Sequence, residues 1–281
     1  MPTSTGRFTT EDRPYLRHGD RALQARLFTP DGPGPFPAVI DLHGGAWCAG
    51  DLADGQARNE ALAASGFVVA AINFRHGADG YPTSLADINY AIRWVKAHAA
   101  ELRVRPDRIG LSGNSSGGHL AMLAAMRPND ARYAAMPLPG VDAGVNAVAM
   151  LWPVINPLSR YRYALRSRDS ANPPAWVGDI PQRHDLYWRT EAAMAEGNPM
   201  LALERGETLV LPPALWVQGR PDPTHDYRDP ESPIQGNEPE RFVANYRRAG
   251  GTIDLVEVEQ ATRATGAALD HLVTFFRRHL A

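Results

Sequence analysis

The residues of this chain best suited to chemistry are a serine set between small residues, in the pentapeptide Gly-Asn-Ser-Ser-Gly at positions 113–117. The pattern Gly-x-Ser-x-Gly is typical of a tight turn between a strand and a helix, which exposes the serine hydroxyl at the edge of a sheet as a nucleophile. The largely apolar segments 108–111 and 118–126 predict the strand before this turn and the helix after it. A chain with 25 glycines will sometimes carry the pattern by chance, so this context is what makes Ser115 a candidate nucleophile.

A second motif, His-Gly-Gly-Ala-Trp at positions 43–47, follows a predicted buried strand at 37–42. Glycines leave backbone N–H groups uncovered, and such groups can hydrogen-bond the negative charge that develops on a carbonyl oxygen under attack. An ordinary glycine-rich turn is the alternative, but the motif lies one strand and one crossover before the candidate nucleophile. The expected donors are the N–H groups of Gly45, Ala46 and Ser116. Trp47, which ends the motif, is predicted to contact the substrate.

The two motifs together resemble those of α/β-hydrolases of the hormone-sensitive-lipase and bacterial carboxylesterase branch. The segment 43–47 is similar to that family's HGGGW, and the segment 113–121 to its GxSxGGHLA, with Asn114 as a departure. The similarity continues through Asp87 and through the segment 106–109, and it covers most of the chain from about residue 20. The resemblance implies a serine hydrolase that cleaves small carboxylic esters through an acyl-enzyme on Ser115 and needs no cofactor.

The resemblance also implies an acid in a Gly-x-x-Asp pattern after the seventh strand, and the segment 219–222 matches that pattern. Asp222 is therefore the candidate for orienting a catalytic imidazole. A turn aspartate between two prolines is the alternative, because aspartate favours turns in any case. Asp226 and Asp229 are the other acids of the same loop.

The family's order of serine, acid and histidine requires a histidine just after the last strand, and the segment 259–266 contains none. His271 lies in the final helix, opposite the apolar stripe, so it is predicted to face solvent. His225, three residues beyond Asp222, is the candidate general base, and His184 is a further alternative. Because a serine hydroxyl is a weak nucleophile without an adjacent base, the missing histidine decides between catalysis and binding.

The elements that must position these residues alternate between strand-like and helix-like segments from about residue 22. This alternation predicts an α/β fold, here an α/β-hydrolase fold, with a mostly parallel sheet flanked by helices. The clearest helix is predicted at 85–102, where apolar residues recur at steps of three and four. The segment of about 156–208 breaks the alternation and contains one clear helix, at about 190–195. We therefore expect a single domain, 1–281, with a cap inserted between the sixth and seventh strands.

Composition excludes several classes of function. The net charge is −2 with no long basic run, so a nucleic-acid partner is not expected. The longest apolar runs are too short to span a membrane, and the N-terminal segment 1–12 is polar, so we expect a soluble, cytoplasmic protein without a signal peptide. The single cysteine, Cys48, allows no internal disulfide, and no His or Cys spacing predicts a metal site. A homodimer is compatible with the sequence.

Two arginines at the start of the cap, Arg160 and Arg162, are candidates to bind a substrate carboxylate, with a solvated basic face as the alternative. Two other functions compete with ester hydrolysis. One is a small-molecule binding protein on a hydrolase scaffold, because the family resemblance includes a plant hormone receptor that has kept the serine and lost the histidine. The other is altered hydrolase or lyase chemistry with a relocated base.

Overall fold

The structure, a computed structural model, describes residues 6–232 and 234–281. These residues form one eight-stranded sheet with the order β1-β2-β4-β3-β5-β6-β7-β8. Strand β2 is antiparallel to its neighbours β1 and β4, and all other neighbouring strands are parallel. The strands are β1 (Phe8–His18), β2 (Arg21–Pro30), β3 (Phe36–Leu42), β4 (Val68–Ile72), β5 (Val104–Asn114), β6 (Ala147–Leu151), β7 (Ala214–Arg220) and β8 (Ile253–Glu259).

Helices cover both faces of the sheet, as the wholly buried strands β4 and β6 require. The helices are α1 (Gln56–Ala64), α2 (Thr83–Ala97), α3 (Ser116–Met126), α4 (Pro157–Arg168), α5 (Ile180–Trp188), α6 (Glu191–Glu196), α7 (Pro199–Glu204), α8 (Glu238–Arg248) and α9 (Ala267–Leu280), with 3₁₀ turns at Gly77–Asp79 and Gln260–Thr262. Helices α1 and α9 share one apolar core with the sheet, and α2, α3 and α8 share the other. Within the described ranges, no helix is both long enough and apolar enough to cross a membrane.

The predicted fold class is confirmed: the sheet is mostly parallel, helices flank it, and an insertion separates the sixth and seventh strands. This insertion contains the four helices α4 to α7 instead of the single helix predicted from the sequence. Asparagine N-caps begin two of them. The side chains of Asn156 and Asn198 accept hydrogen bonds from the N–H groups of Ser159 and Leu201, each at 3.1 Å, and a proline follows each asparagine. The repeated Asn-Pro pair is thus the sequence signal for these helix starts.

Three other features differ from the predictions: the end of one helix, and two elements that were not predicted. Helix α2 ends at Ala97 instead of residue 102, because His98 caps it and Arg103 turns the chain with a positive φ of 55°. The strand β1 was not predicted, since it is a mostly exposed and polar edge strand without apolar alternation. Helix α1 was not predicted either, because its apolar residues are four alanines and Leu62, which give only a weak apolar stripe.

Candidate active site

Ser115 lies on a sharp turn between β5 and α3, with a φ of 51° and a ψ of −121°. A non-glycine residue rarely adopts a positive φ, so this backbone stores strain that its surroundings must hold. Two hydrogen bonds to the segment 151–154 hold it: the N–H of Ser115 donates to the Leu151 carbonyl at 3.0 Å, and the Ser115 carbonyl accepts from the Val154 N–H at 3.1 Å. The turn therefore presents the Ser115 side chain in one fixed direction.

Glycines on either side of Ser115 let the chain pass through this turn. A Cβ atom on Gly113 would lie 2.5 Å from the carbonyl carbon of Gly117. A Cβ atom on Gly117 would lie 2.4 Å from the carbonyl oxygens of Leu42 and His43. Both distances are far below van der Waals contact, so only glycine fits at these positions. The pentapeptide is thus a packing requirement as well as a sequence pattern.

The loop after β7 brings the candidate acid and base together. The N–H groups of His225 and Asp226 both donate to the Asp222 carbonyl, at 3.2 and 2.8 Å, so the segment 222–226 forms a helix-like turn. In such a turn, residues three apart lie on the same side. His225 Nδ1 is accordingly 2.8 Å from Asp222 Oδ2, and His225 Nε2 is 3.0 Å from Ser115 Oγ. The structure thus joins Ser115, His225 and Asp222 in one hydrogen-bonded chain.

An arginine occupies the loop in which a histidine was expected. Arg263, between β8 and α9, donates from Nη1 to Asp222 Oδ2 at 2.8 Å, and its guanidinium lies 4.3 Å from the centre of the Trp152 ring. Gly219 allows this close approach, because a Cβ atom there would lie 3.0 Å from the Cβ and Cδ atoms of Arg263. Sequence reasoning missed this residue, although the segment 259–266 contains no other cation.

The surroundings set the protonation states of the acid and the base. Burial lowers the pKa of His225 to about 4, aided by the positive charges of Arg160 and Arg263 and opposed by Asp222. Burial alone would raise the pKa of Asp222, but the hydrogen bond from His225 and the charge of Arg263 lower it overall. At neutral pH the imidazole is therefore neutral. With its proton on Nδ1 toward the carboxylate, its Nε2 accepts the Ser115 hydroxyl.

The loop 43–47 lies against the serine. A Cβ atom on Gly44 would be 3.4 Å from the Ser115 Cβ, so the two backbones are in contact. Ala46 has a left-handed φ of 49°, so the loop turns sharply at this residue. Among residues 6–232 and 234–281, no acceptor contacts the three N–H groups expected to be donors: Gly45, Ala46 and Ser116. These groups are available for an oxygen bound beside Ser115.

Trp47 does not line an open surface, in contrast to its predicted role in substrate contact. Its indole is 1% exposed and lies edge-on to the rings of His119, His184 and Trp188. The indole N–H donates to His119 Nδ1 at 3.2 Å, and His119 Nε2 donates to the Gly197 carbonyl at 2.8 Å. Burial lowers the pKa of His119 to about 4, so this link is neutral. Trp47 thus ties the loop 43–47 to α3 and to the insertion.

A second tie holds the same loop and allows a test. The N–H of Trp47 donates to Ser116 Oγ at 3.1 Å in a buried setting. We expect Ser116→Ala to lower the free energy of unfolding by about 1–3 kcal/mol, because it leaves a buried N–H without an acceptor. Chemical denaturation measures the loss. Ser112→Ala is the matched control, since Ser112 is equally buried on β5 and its hydroxyl has no partner in the described part of the chain. Equal losses in the two variants would contradict the tie.

The other candidates lie away from this chain of hydrogen bonds. His184 is fully buried, with Nδ1 bonded to the Ile180 carbonyl, and His271 is exposed on α9, as predicted. Asp226 pairs with Arg220 at 2.7 Å, and Asp229 pairs with Arg241 at 3.0 Å. Arg162 is half-buried, and its guanidinium pairs with Glu191 at 2.6 Å and Glu231 at 2.5 Å. Arg160, by contrast, is buried beside His225 in a small polar cavity.

In the described ranges, no cluster of three or more His, Cys, Asp or Glu residues could hold a metal ion.

Comparison with known proteins gives consistent similarities. A family model described as BD-FAE matches residues 27–195. A probable carboxylic ester hydrolase, LipM of Mycobacterium tuberculosis, is 34% identical over 169 residues, which cover 55% of this chain and 39% of LipM. The carboxylic ester hydrolase LipN of the same organism is 26% identical over 275 residues, which cover 92% of this chain and 67% of LipN. The chain thus spans less than half the length of LipM.

Among solved structures, a thermophilic esterase from Thermogutta terrifontis superimposes with a TM-score of 0.65 at 26% identity, covering 94% of this chain and 87% of that one. An esterase from Pyrobaculum calidifontis superimposes with a TM-score of 0.74, covering 99% of this chain and 88% of that one. At 20% identity the second likeness concerns the fold alone.

Proposed function

Because the chain belongs to the BD-FAE family and is an α/β-hydrolase of the hormone-sensitive-lipase and carboxylesterase branch, we propose that it is a serine hydrolase of small carboxylic esters. The observation that carries this proposal is the unbroken chain of hydrogen bonds from Ser115 Oγ through His225 to Asp222, at 3.0 and 2.8 Å. The names of its relatives, which are carboxylic ester hydrolases and esterases, support the same reaction.

In the proposed reaction, His225 Nε2 removes the proton of the Ser115 hydroxyl as its oxygen attacks the ester carbonyl. The N–H groups of Gly45, Ala46 and Ser116 form an oxyanion hole for the negative charge on the carbonyl oxygen. The tetrahedral intermediate collapses with loss of the alcohol, which takes its proton from His225. Water, activated by His225, then attacks the acyl-enzyme, and the acid leaves as Ser115 recovers its proton.

Asp222 and Arg263 act on this reaction through His225. The Asp222 carboxylate holds the proton on Nδ1 and stabilises the imidazolium that forms during each step. Arg263 donates to the same carboxylate oxygen as His225. It therefore keeps Asp222 ionised and fixes the orientation of the carboxylate, so its role is one of positioning.

A binding protein without turnover is the alternative that an absent base would favour. The hydrogen bond between His225 and Ser115 argues against it, since the base comes from a different loop and is not lost. Altered hydrolase or lyase chemistry would use the same relocated base. No observation on the described residues favours such chemistry over ester hydrolysis.

Covalent labelling of Ser115 tests the proposal. Incubation of the folded protein with a fluorophosphonate should add one phosphonyl group, which peptide mass spectrometry should locate on Ser115, and should abolish hydrolysis of p-nitrophenyl acetate in parallel. Protein denatured before incubation is the control, and it should not be labelled. If the folded protein resists the probe and does not turn over the ester, the proposed function is wrong.

The lowered pKa of His225 predicts an unusual pH profile. The base works only as neutral imidazole, so protonation at low pH removes activity. With a pKa of about 4, kcat/KM should stay level from about pH 8 to about pH 5 and fall about tenfold per unit below about pH 4. An unperturbed histidine would already lose activity below about pH 6.5. Initial rates measured from about pH 8 to below about pH 4 distinguish the lowered pKa from an unperturbed one, and circular dichroism at each pH verifies that the protein is folded. A midpoint near pH 6.5 would contradict the buried, charge-flanked setting of His225.

Three further expectations from the sequence stay predictions. These are a single domain over residues 1–281 with a cap at about 156–208, a cytoplasmic location, and a homodimer. For the cap, its position between β6 and β7 gives support, because ligands of open α/β sheets bind at the carboxyl ends of the strands.

A further inference from the structure

Arg160, in the first turn of α4, is a buried cation without a counter-charge. Its side chain is 2% exposed, and its Nε and Nη1 atoms have no hydrogen-bond partner in residues 6–232 and 234–281. Over the same ranges no carboxylate lies within 4.0 Å of its guanidinium. The residues outside these ranges are 1–5 and Pro233, and none of them has an acidic side chain. An arginine remains charged even where burial lowers its pKa, as it does here.

The other buried arginines show how this chain ordinarily satisfies such a group. Arg58 makes a bidentate pair with Asp41, at 2.8 and 2.9 Å. Arg241 pairs with three carboxylates. Arg93 donates to an amide oxygen and to a backbone carbonyl. At Arg160 the described residues supply the Trp176 ring, 5.7 Å from the guanidinium carbon, but no hydrogen-bond acceptor for Nε and Nη1. Burying a charged group whose N–H groups lack acceptors is unfavourable, so Arg160 points to a partner that these residues do not supply.

The position of Arg160 says where that partner would bind. The side chain lines a small cavity of about 10 Å³ together with His225, Thr224 and Tyr227. That volume holds about one oxygen atom of the size of a water molecule. The Arg160 charge also reaches His225, whose pKa it lowers. Because His225 Nε2 is 3.0 Å from Ser115 Oγ, an anionic oxygen on Arg160 would lie beside the imidazole that contacts the proposed nucleophile.

Glu238 lines the same cavity, and among residues 6–232 and 234–281 it is the only carboxylate that does so. It pairs with Arg241 at 3.0 Å, and burial raises its pKa to about 7, so it does not serve as a full counter-charge to Arg160. A bridge from Arg160 to Glu238 would give Arg160 a purely structural role, and the experiment below separates that role from ligand binding.

We propose that Arg160 binds a carboxylate of the substrate, so that the preferred substrates are short esters carrying a free carboxylate near the scissile bond. This inference rests on the proposed function and names its substrate class. A guanidinium with free N–H groups recognises a carboxylate through charge-assisted hydrogen bonds. The carboxylate could belong to the acyl part, as in a monoester of a dicarboxylic acid, or to the alcohol part, as in an acylated hydroxy acid.

The test compares charged esters with neutral esters of the same shape. Monoethyl succinate and ethyl levulinate form the acyl-side pair, and 3-acetoxypropanoate and 4-acetoxy-2-butanone form the alcohol-side pair. We expect kcat/KM to favour the charged member of one pair by about 10- to 100-fold, the range that a hydrogen bond to a charged group gives. In Arg160→Met this ratio should fall to about one, and Arg160→Lys should restore part of it. Arg168→Met is the matched control on the same helix, because Arg168 is exposed and pairs with Asp169 at 2.8 Å; its ratio should equal that of the unaltered protein.

Calorimetric titration with succinate gives a readout that does not depend on turnover. Succinate should bind the unaltered protein and Arg168→Met, and its affinity should fall at least tenfold in Arg160→Met. The inference is overturned if neither pair of esters shows a preference for the charged member. It is also overturned if Arg160→Met keeps both the preference and the succinate affinity but loses stability, which is the result expected if Arg160 only bridges to Glu238. If Ser115 is labelled and neutral esters are hydrolysed, but charged esters are not preferred, only the role of Arg160 is refuted. Absence of both labelling and hydrolysis would refute the proposed function, and succinate binding would still decide the role of Arg160.

Discussion

Replacing His225 by alanine is expected to lower kcat for ester hydrolysis by about 10⁶-fold, the loss that removal of the histidine causes in a serine protease. The reason is that His225 Nε2, 3.0 Å from Ser115 Oγ, is the base within hydrogen-bond reach of the hydroxyl. Without it, the Ser115 hydroxyl must lose its proton to water, and a serine hydroxyl is then a weak nucleophile. Steady-state hydrolysis of p-nitrophenyl acetate measures the effect.

His271→Ala is the matched control for this prediction. His271 lies on α9, next in the chain to the loop in which the family resemblance implies the base, but its side chain is exposed. We expect this variant to keep its kcat. A large loss in His271→Ala together with an unchanged His225→Ala would refute the assignment of the base. The double variant Ser115→Ala/His225→Ala should be about as slow as either single variant, because residues that act as one unit do not contribute additively.

Replacing Asp222 by asparagine is expected to lower kcat by about 10⁴-fold, as the equivalent change does in chymotrypsin-like proteases. Asparagine keeps the shape of the side chain but can present an N–H to His225 Nδ1. The imidazole proton then moves to Nε2, which can no longer accept the proton of Ser115. Asparagine also loses the charge that Arg263 contacts at 2.8 Å. Single-turnover kinetics with p-nitrophenyl acetate separate this loss from a change in substrate affinity.

Asp226→Asn is the control for Asp222→Asn. Asp226 belongs to the same turn, but its carboxylate accepts from Arg220 and Asn237 instead of His225. A loss in Asp226→Asn that matches the loss in Asp222→Asn would mean that the loop as a whole, and not the acid, carries the effect. Thermal unfolding of both variants shows whether the loop stays folded.

Much of the site could be predicted because its signals are local. The turn at Ser115 and the loop 43–47 need glycines at particular positions, since a Cβ atom on Gly117 would overlap the carbonyl oxygens of Leu42 and His43. Such steric requirements leave a pattern in the sequence whatever surrounds them. Asp222 was predicted because the family resemblance implies an acid in a Gly-x-x-Asp pattern after the seventh strand. The fold class followed from the alternation of strands and helices.

Other features could not be predicted because they depend on residues distant in the chain. The sequence allowed several histidines as the base, and the choice of His225 required the turn 222–226 to close and to reach Ser115, which lies 110 residues earlier. The indole of Trp47 was expected at the substrate, but packing against α3 and the insertion buries it.

The sequence by itself determined that a serine lies in a tight, glycine-flanked turn beside a glycine-rich loop on a mostly parallel α/β sheet, because backbone sterics and apolar periodicity act over a few residues. Only the tertiary structure decided which side chains meet at that serine. Among the described residues it brought His225 and not His271 to Ser115, placed Arg263 on Asp222, and buried Arg160 with no hydrogen-bond partner for its Nε and Nη1 atoms. The physical reason is that hydrogen bonds and ion pairs depend on distances of about 3 Å between atoms of separate loops, and spacing along the chain does not determine those distances.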